Sequence, residues 1–115
     1  MGDATIPALS WSEFERVEMR VGTITAAAVN EKARKPAYRL EIDFGEFGSR
    51  TSSAQLTERY TAEELVGKQV IAVVNFPVKK IADVRSECLV LGAVYGSAVT
   101  LLTMDKAVDN GLRIA

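Results

Sequence analysis

The amino-acid sequence predicts a single, mostly β domain with one short helix in the middle of the chain and a helical turn near the N-terminus. The length of 115 residues suits one compact domain. Several segments alternate apolar and polar residues with the two-residue period of a β-strand. Two capping boxes, Ser10 to Glu13 and Thr61 to Glu64, mark the starts of helices. No repeat or linker interrupts the chain, so we expect one domain over residues 1–115 with its core at about residues 11–114.

The first predicted strand is long and changes its phase. Its apolar residues stand at odd positions from Val17 to Val21 and at even positions from Ile24 to Ala28. The change falls at Gly22, and a glycine within a strand is typical of a β-bulge, where one strand carries an extra residue and bends. Strands that bend in this way turn the corners of small barrels. The pattern therefore predicts a bulge at Gly22.

Five further strands and one helix complete the predicted order. The strands cover residues 38–44, 49–56, 69–76, 89–94 and 98–103, and Pro77 ends the third of these because proline donates no hydrogen bond. The helix, of about two turns, starts after Thr61 and ends at Gly67. Three strands, a helix and then further strands are the order of the OB-fold, a five-stranded Greek-key β-barrel with its helix between strands three and four. A different small β-barrel or an α+β sandwich is the alternative.

The composition argues against an enzyme. The chain has no histidine and a single cysteine, Cys88. Without histidine there is no imidazole base, no Ser/His or Cys/His pair and no histidine ligand for zinc. One cysteine forms neither an intrachain disulfide nor a cysteine-rich metal site, and the sequence has no glycine-rich phosphate-binding motif. We therefore expect a binding protein with no catalytic residue, metal or cofactor.

The sequence also indicates a cytoplasmic protein. Residues 88–104 carry no charge, but this run is shorter than the roughly 20 residues of a membrane helix and contains a turn signal at residues 95–97. Two buried strands joined by a turn explain the run better. At the N-terminus, Asp3 stands where a signal peptide carries Lys or Arg, and no long apolar stretch follows it.

The charge is unevenly distributed along the chain. The net charge of −1 hides two basic windows, residues 32–39 with four cations and no acid, and residues 79–85 with three cations and one acid. The windows carry +4 and +2, so the other residues together carry −7. In an OB-fold these windows form the connections between strands one and two and between strands four and five, which flank the usual ligand face. A pair of solvated basic loops is the alternative.

Three side chains at or near these windows add to the candidate site. Tyr38 and Phe76 lie at the edges of the windows and are expected to offer stacking surfaces to bases. Asn75 is polar within an apolar strand, and two interpretations stay open for it. Its amide either bonds to the backbone at a strand end or contacts a base or a peptide.

An apolar stripe near the N-terminus is expected to pack either on its own barrel or on that of a partner chain. Its members are Ile6, Leu9, Trp11 and Phe14.

Six short segments form a recognisable pattern when they are taken in order. They are Glu18–Gly22, Lys35–Leu40, Ile42–Gly45, Ser52–Leu56, Asn75–Pro77 and Ser86–Gly92. Together they resemble the tRNA-binding-domain family of OB-folds, the module attached to some aminoacyl-tRNA synthetases and their accessory factors. More closely, they resemble the free-standing bacterial secretion chaperones of the CsaA type, and the resemblance spans about residues 11–114.

The resemblance implies more than the residue patterns do. Chaperones of the CsaA type are homodimers with a short N-terminal helix and one barrel in each subunit. They hold unfolded export precursors and interact with the export ATPase SecA, and the wider family binds tRNA through basic and polar residues around the barrel mouth. The positions that match the family motif are Asn75, Lys79, Lys80, Arg85, Ser86 and Glu87. Three others, Lys32, Arg34 and Lys35, belong to the variable first connection.

Two functions follow from the sequence. The first is a non-catalytic protein that holds unfolded precursors for secretion in a dimer cleft. The alternative is a tRNA-binding module that uses the basic loops at the barrel mouth. Both predict the same set of binding residues: Lys32, Arg34, Lys35, Tyr38, Asn75, Phe76, Lys79, Lys80, Arg85, Ser86 and Glu87.

Overall fold

The computed structural model of the protein describes residues 5–115. Asp3, on which the prediction about a signal peptide depends, lies outside the described residues. Within residues 5–115, no helix is both long enough and apolar enough to span a membrane.

Both predicted capping boxes form and start a helix. Helix α1 covers Trp11–Glu15 and helix α2 covers Ala62–Leu65. In α1 the Glu13 amide donates to Ser10 Oγ at 3.1 Å, and the Ser10 amide donates to the Glu13 carboxylate at 3.0 Å. Helix α2 is one turn long rather than the predicted two. The chain leaves the helix at Val66, and the amide of Gly67 donates instead to Ile24 O at 2.8 Å.

The strands form one main antiparallel sheet and two hairpins. The bounds are β1 Met19–Val29, β2 Tyr38–Asp43, β3 Ser49–Ala54, β4 Gln69–Val73, β5 Lys79–Ile81, β6 Val84–Ser86, β7 Leu89–Val90, β8 Gly92–Tyr95, β9 Ala98–Leu101 and β10 Arg113–Ile114. The sheet has the order β3-β2-β1-β4-β7 with β10 beside β1, and the hairpins are β5–β6 and β8–β9. A single 3₁₀ turn over Gly45–Phe47 joins β2 to β3.

The sheet curls until its two ends nearly meet. The Glu87 amide, between β6 and β7, donates to Thr51 O of β3 at 2.8 Å, and the Thr51 amide donates to the Glu87 carboxylate at 2.9 Å. Buried Ser52 donates from Oγ to Cys88 O at 3.0 Å. The chain segment from β6 to β7 thus serves as the fifth strand of a nearly closed barrel. Together with α2 between β3 and β4, this confirms the predicted OB-fold.

The core fills the inside of this barrel. On β2, Leu40 and Ile42 point inward and are fully buried, as their alternation with charged residues predicts. Helix α2 contributes Leu65, and Cys88 packs in the same cluster. Burial raises the pKa of the Cys88 thiol to about 11, which is typical of a cysteine that packs as a small apolar side chain.

The predicted bulge at Gly22 was placed at the wrong residue. The register between β1 and β2 shifts between Ile24 and Ala26, so Thr25 is the extra residue. Gly22 pairs regularly with Val70 and is required for close packing instead. A Cβ atom at Gly22 would lie 2.6 Å from the Ile42 side chain and 2.7 Å from the Phe44 ring.

Several strand boundaries also differ from the predicted ones. Strand β4 ends at Val73, although the Val74 amide still donates to Glu18 O in the same register. The reciprocal bond is missing, because the Glu18 amide donates to Asn75 Oδ1 instead. The predicted strand at residues 89–94 is divided into β7 and β8 at Leu91, whose amide bonds to Ile71 O and whose carbonyl accepts from Leu102. The β5–β6 hairpin and β10 were not predicted, since strands of two or three residues carry no periodic signal.

We predict that Gly22→Ala lowers the free energy of unfolding by about 1–3 kcal/mol, the usual cost of adding a methyl group to a filled core. Urea denaturation measures this change. Ala28→Val, which adds carbon atoms at an exposed position of the same strand, is the control and is expected to leave the stability nearly unchanged. A Gly22→Ala variant as stable as the wild type would contradict the packing role.

Candidate functional site

The structure brings the two basic windows together. The first basic loop, residues 30–37 between β1 and β2, places Lys32 against the second basic loop, which is the β5–β6 hairpin. Lys32 Nζ lies 2.8 Å from Asp83 Oδ2, and Lys80 Nζ lies 4.0 Å from Asp83 Oδ1. The hydrogen bond and the opposite charges of the Lys32–Asp83 pair raise the pKa of Lys32 and lower the pKa of Asp83.

Not all of the basic side chains are free to meet a ligand. Arg39 Nη2 lies 2.7 Å from Glu41 Oε2, and Lys32 and Lys80 share Asp83. Four cations of the two windows have no carboxylate within 4.0 Å among residues 5–115, and these are Arg34, Lys35, Lys79 and Arg85.

The hairpin separates its cations onto two faces. Lys80 lies directly opposite Arg85, and Lys79 lies directly opposite Ser86. Side chains alternate along a strand, so Lys80 and Arg85 share one face while Lys79 shares the other with Ser86 and with buried Val84. The Lys80–Arg85 face therefore points away from the barrel. Like charges directly opposite each other destabilise a hairpin, so this face favours an anionic partner.

A groove runs between the two loops, and we call it the two-loop groove. Its volume is about 370 Å³. Arg34 and Lys35 form one wall, and Ile81 and Ala82 of the hairpin form the other. The end of β3 lies at its base, so both basic loops border the same surface of the barrel.

Beside this groove lies an apolar pocket of about 490 Å³. Phe76, Val78 and Leu89 line it, and their exposed fractions are 56%, 48% and 49%. Exposed apolar side chains that adjoin one another in a concavity are typical of an interaction site. Ile81 lines both the apolar pocket and the two-loop groove, and Lys79 stands at the rim of the pocket. The two features form one continuous surface with an apolar part and a basic part.

Three of the predicted polar residues are engaged within the barrel itself. The Glu18 amide donates to Asn75 Oδ1 at 3.0 Å, and Asn75 Nδ2 donates to Arg16 O at 2.7 Å. Of the two interpretations of Asn75, these contacts favour the one in which its amide bonds to the backbone.

Glu87 accepts from the Thr51 amide, and Ser86 Oγ accepts from the Ser53 amide at 3.4 Å. These side chains hold the frame that positions the loops.

The two aromatic candidates lie in different surroundings. Tyr38 is buried in the core, where its hydroxyl donates to Tyr60 O at 2.8 Å, so its ring presents no stacking surface to solvent. Phe76 is more than half exposed and is available to a base or to an apolar side chain.

The apolar pocket is also lined by Val78, Ile81 and Leu89, which were not among the binding residues predicted from the sequence. Leu89 lies in a predicted strand, whereas Val78 and Ile81 lie in the predicted connection after Pro77. Only the arrangement of the hairpin beside β7 brings the three together. The one available signal was Pro77, which interrupts the strand pattern between two apolar residues.

The N-terminal apolar stripe remains at the surface. Trp11 is 83% exposed, and Ile6 and Leu9 are also exposed, so these three side chains do not pack on their own barrel. Phe14, the fourth member of the stripe, is partly buried. Helix α1 is nevertheless held in place. Asn75 bonds to the backbone that follows it, and Arg113 donates to Glu15 O at 2.9 Å.

Among residues 5–115 there is no group of three or more His, Cys, Asp or Glu side chains that could hold a metal ion.

Comparison with known proteins agrees with this geometry. Residues 19–113 match the family model described as a putative tRNA binding domain. The methionine–tRNA ligase of Methanosarcina mazei is 35% identical over 111 residues, which are 96% of this chain. The chain spans only 15% of the length of that ligase, so the match concerns one domain of it.

Two solved structures are similar over nearly the whole chain. The chaperone CsaA from Bacillus anthracis str. Ames is 46% identical with a TM-score of 0.91, over 95% of this chain and 100% of that one. The CsaA chaperone protein from Picrophilus torridus is 45% identical with a TM-score of 0.87, over 94% of this chain and 100% of that one. The chain therefore belongs to the tRNA-binding-domain family of OB-folds and, within it, to the CsaA group.

Proposed function

We propose that this protein binds unfolded polypeptide without catalysis and holds it for secretion, as the resemblance to CsaA chaperones suggests. The observation that carries the proposal is the apolar pocket with its half-exposed lining of Phe76, Val78 and Leu89. An unfolded chain exposes apolar side chains, and burying one completely is worth about 1.5–3 kcal/mol. A pocket of this kind therefore binds extended segments with modest selectivity.

The basic rim of the pocket adds a second contribution. Lys79 lies at the pocket, and Arg34 and Lys35 line the adjoining two-loop groove. Positive charges near an apolar site steer acidic or weakly negative segments toward it and increase the rate of association. The proposal includes export precursors as clients, the SecA ATPase as a partner and the cytoplasm as the place of action.

The peptide-binding proposal predicts that apolar side chains at the pocket are needed to keep a denatured protein soluble. Phe76→Ala and Val78→Ala are each expected to weaken protection at least threefold, since each removes apolar area from the contact. Light scattering of a diluted, denatured secretory precursor, with the protein in excess, measures the effect.

Val66→Ala is the matched control. Val66 is 49% exposed, almost the same as Val78, but it lies at the end of α2 and does not line the apolar pocket. Equal losses from Val66→Ala and Val78→Ala would mean that the pocket has no special role. Failure of the wild type to bind or protect unfolded chains would rule out the function itself.

We also propose that two copies of the chain associate through α1. Leu9, Trp11 and Phe14 line a shallow apolar concavity of about 310 Å³, and the hydrogen bonds of Asn75 and Arg113 fix α1 in position. A second copy would cover this exposed stripe and bring a second apolar pocket into the same particle. Two pockets would bind one extended client more tightly than either alone.

The dimer proposal predicts that Trp11→Ser raises the dissociation constant of the dimer at least tenfold, which corresponds to about 1.4 kcal/mol. Equilibrium sedimentation over a range of protein concentrations measures this constant. Val66→Ser, at an exposed apolar position away from α1, is expected to leave it unchanged. A wild-type chain that sediments as a monomer at every concentration would disprove the proposal.

A second candidate function is tRNA binding, and a separate observation favours it. Lys80 and Arg85 face each other on the outer side of the hairpin, and four cations of the two loops have no carboxylate partner among residues 5–115. The phosphates of an RNA backbone would relieve the repulsion between Lys80 and Arg85. Phe76 would offer a ring on which an unpaired base stacks.

The tRNA proposal predicts a salt-dependent affinity that both loops produce. The measured quantity is the slope of the logarithm of the association constant against the logarithm of the salt concentration. Arg34→Ala combined with Arg85→Ala, one change in each loop, is expected to make this negative slope shallower by about 1.4–1.8. Titration with bulk tRNA at several salt concentrations measures the slope. Lys68→Ala combined with Lys106→Ala, which removes the same charge outside the loops, should change the slope much less. Equal effects of both pairs would contradict recognition by the loops.

A further inference from the structure

We propose that Asp83 determines the ligand specificity of the basic loops by acting as an internal competing anion. In the free protein it occupies Lys32 and Lys80, so a ligand with one or two charges gains little by displacing it. An RNA backbone presents several closely spaced phosphates and competes with Asp83 for both lysines more strongly, but without displacing it completely. This inference rests on the tRNA-binding function proposed above.

The geometry of the carboxylate carries the proposal. Its two oxygens meet cations from different loops, with Oδ2 at 2.8 Å from Lys32 Nζ and Oδ1 at 4.0 Å from Lys80 Nζ. All three side chains are more than half exposed. An ion pair in such a setting is weak and easily replaced, unlike a buried pair that the fold needs. Asp83 therefore resembles a bound anion more than a structural contact.

The hairpin turn fixes where this carboxylate lies. Ala82 and Asp83 connect β5 to β6 and both have positive φ angles, of 44° and 73°. Two-residue turns of this kind favour Asn-Gly, and after glycine the residues that best tolerate the left-handed region are Asn and Asp. The turn therefore accepts Asp83 without requiring its charge, and that charge faces Lys32 and Lys80.

Removing the carboxylate changes the number of cations that are available. Arg34, Lys35, Lys79 and Arg85 have no carboxylate partner among residues 5–115. Loss of Asp83 would add Lys32 and Lys80 to them. Each additional phosphate contact steepens the salt dependence by about 0.7 on single strands and about 0.9 on duplex. Selectivity for long over short polyanions should fall at the same time, because short ligands would no longer face a competitor.

The experiment compares the wild type, Asp83→Asn and Asp105→Asn in the full chain. Bulk tRNA and a dinucleotide are titrated at several salt concentrations. Asp83→Asn is expected to bind tRNA about three- to tenfold more tightly at low salt, with a salt dependence of the association constant that is steeper by about 0.7–1.8. Its affinity for the dinucleotide should increase by a larger factor than its affinity for tRNA. Asp105→Asn removes the same charge at an exposed position without an ion pair among residues 5–115. It should change the salt slope by less than the value of about 0.7 that one phosphate contact contributes.

A second variant separates the charge from the turn. Ala82→Asn combined with Asp83→Gly supplies the favoured turn sequence without a carboxylate, so it should fold at least as stably and bind tRNA as Asp83→Asn does. Wild-type affinity and slope in this variant would assign Asp83 a role in the turn alone and overturn the proposal. In a Lys32→Met background, the effect of Asp83→Asn on the slope should fall by about half, because only Lys80 remains to be released.

The outcomes also distinguish this inference from the function on which it rests. If the wild type binds tRNA and Asp83→Asn behaves like Asp105→Asn, the inference fails and the tRNA-binding function stands. If neither the wild type nor Asp83→Asn binds tRNA at low salt, the tRNA-binding function fails and the inference falls with it.

Discussion

The barrel is closed by the contact between β3 and the segment from β6 to β7, and the positions of both basic loops follow from this closure. Thr51 and Glu87 exchange two hydrogen bonds across this seam, and Ser52 adds a third to Cys88 O. The seam brings the β5–β6 hairpin alongside the end of β3, where the first basic loop also lies. Lys32 and Asp83 are 51 residues apart in sequence and meet only because the barrel closes here.

The same closure explains why one surface suits two kinds of ligand. The hairpin presents an apolar side chain, Ile81, to both the apolar pocket and the two-loop groove, and it carries cations on both of its faces. Unfolded polypeptide would use the apolar pocket with charge as an accessory, whereas RNA would use the cations with Phe76 as an accessory. Asp83 lies within the basic part, so its removal should alter the second use more than the first.

Local signals made much of the fold predictable. The alternation that places Leu40 and Ile42 inside, and the capping boxes at Ser10 and Thr61, depend on residues near one another in sequence, and the structure contains each of them. The bulge was misplaced because a glycine has two uses in a strand. Gly22 allows close packing against Ile42 and Phe44, and no local pattern distinguishes that use from a bulge.

Composition and short-range periodicity were enough to predict the fold class, the lack of histidine chemistry and the two basic windows. Which charged and aromatic side chains are available to a ligand depends on how the chain folds. Arg39 is paired with Glu41, Lys32 and Lys80 share Asp83, and Tyr38 is buried. Ion pairs and burial depend on distances across strands and loops, and those distances exist only after the barrel has closed.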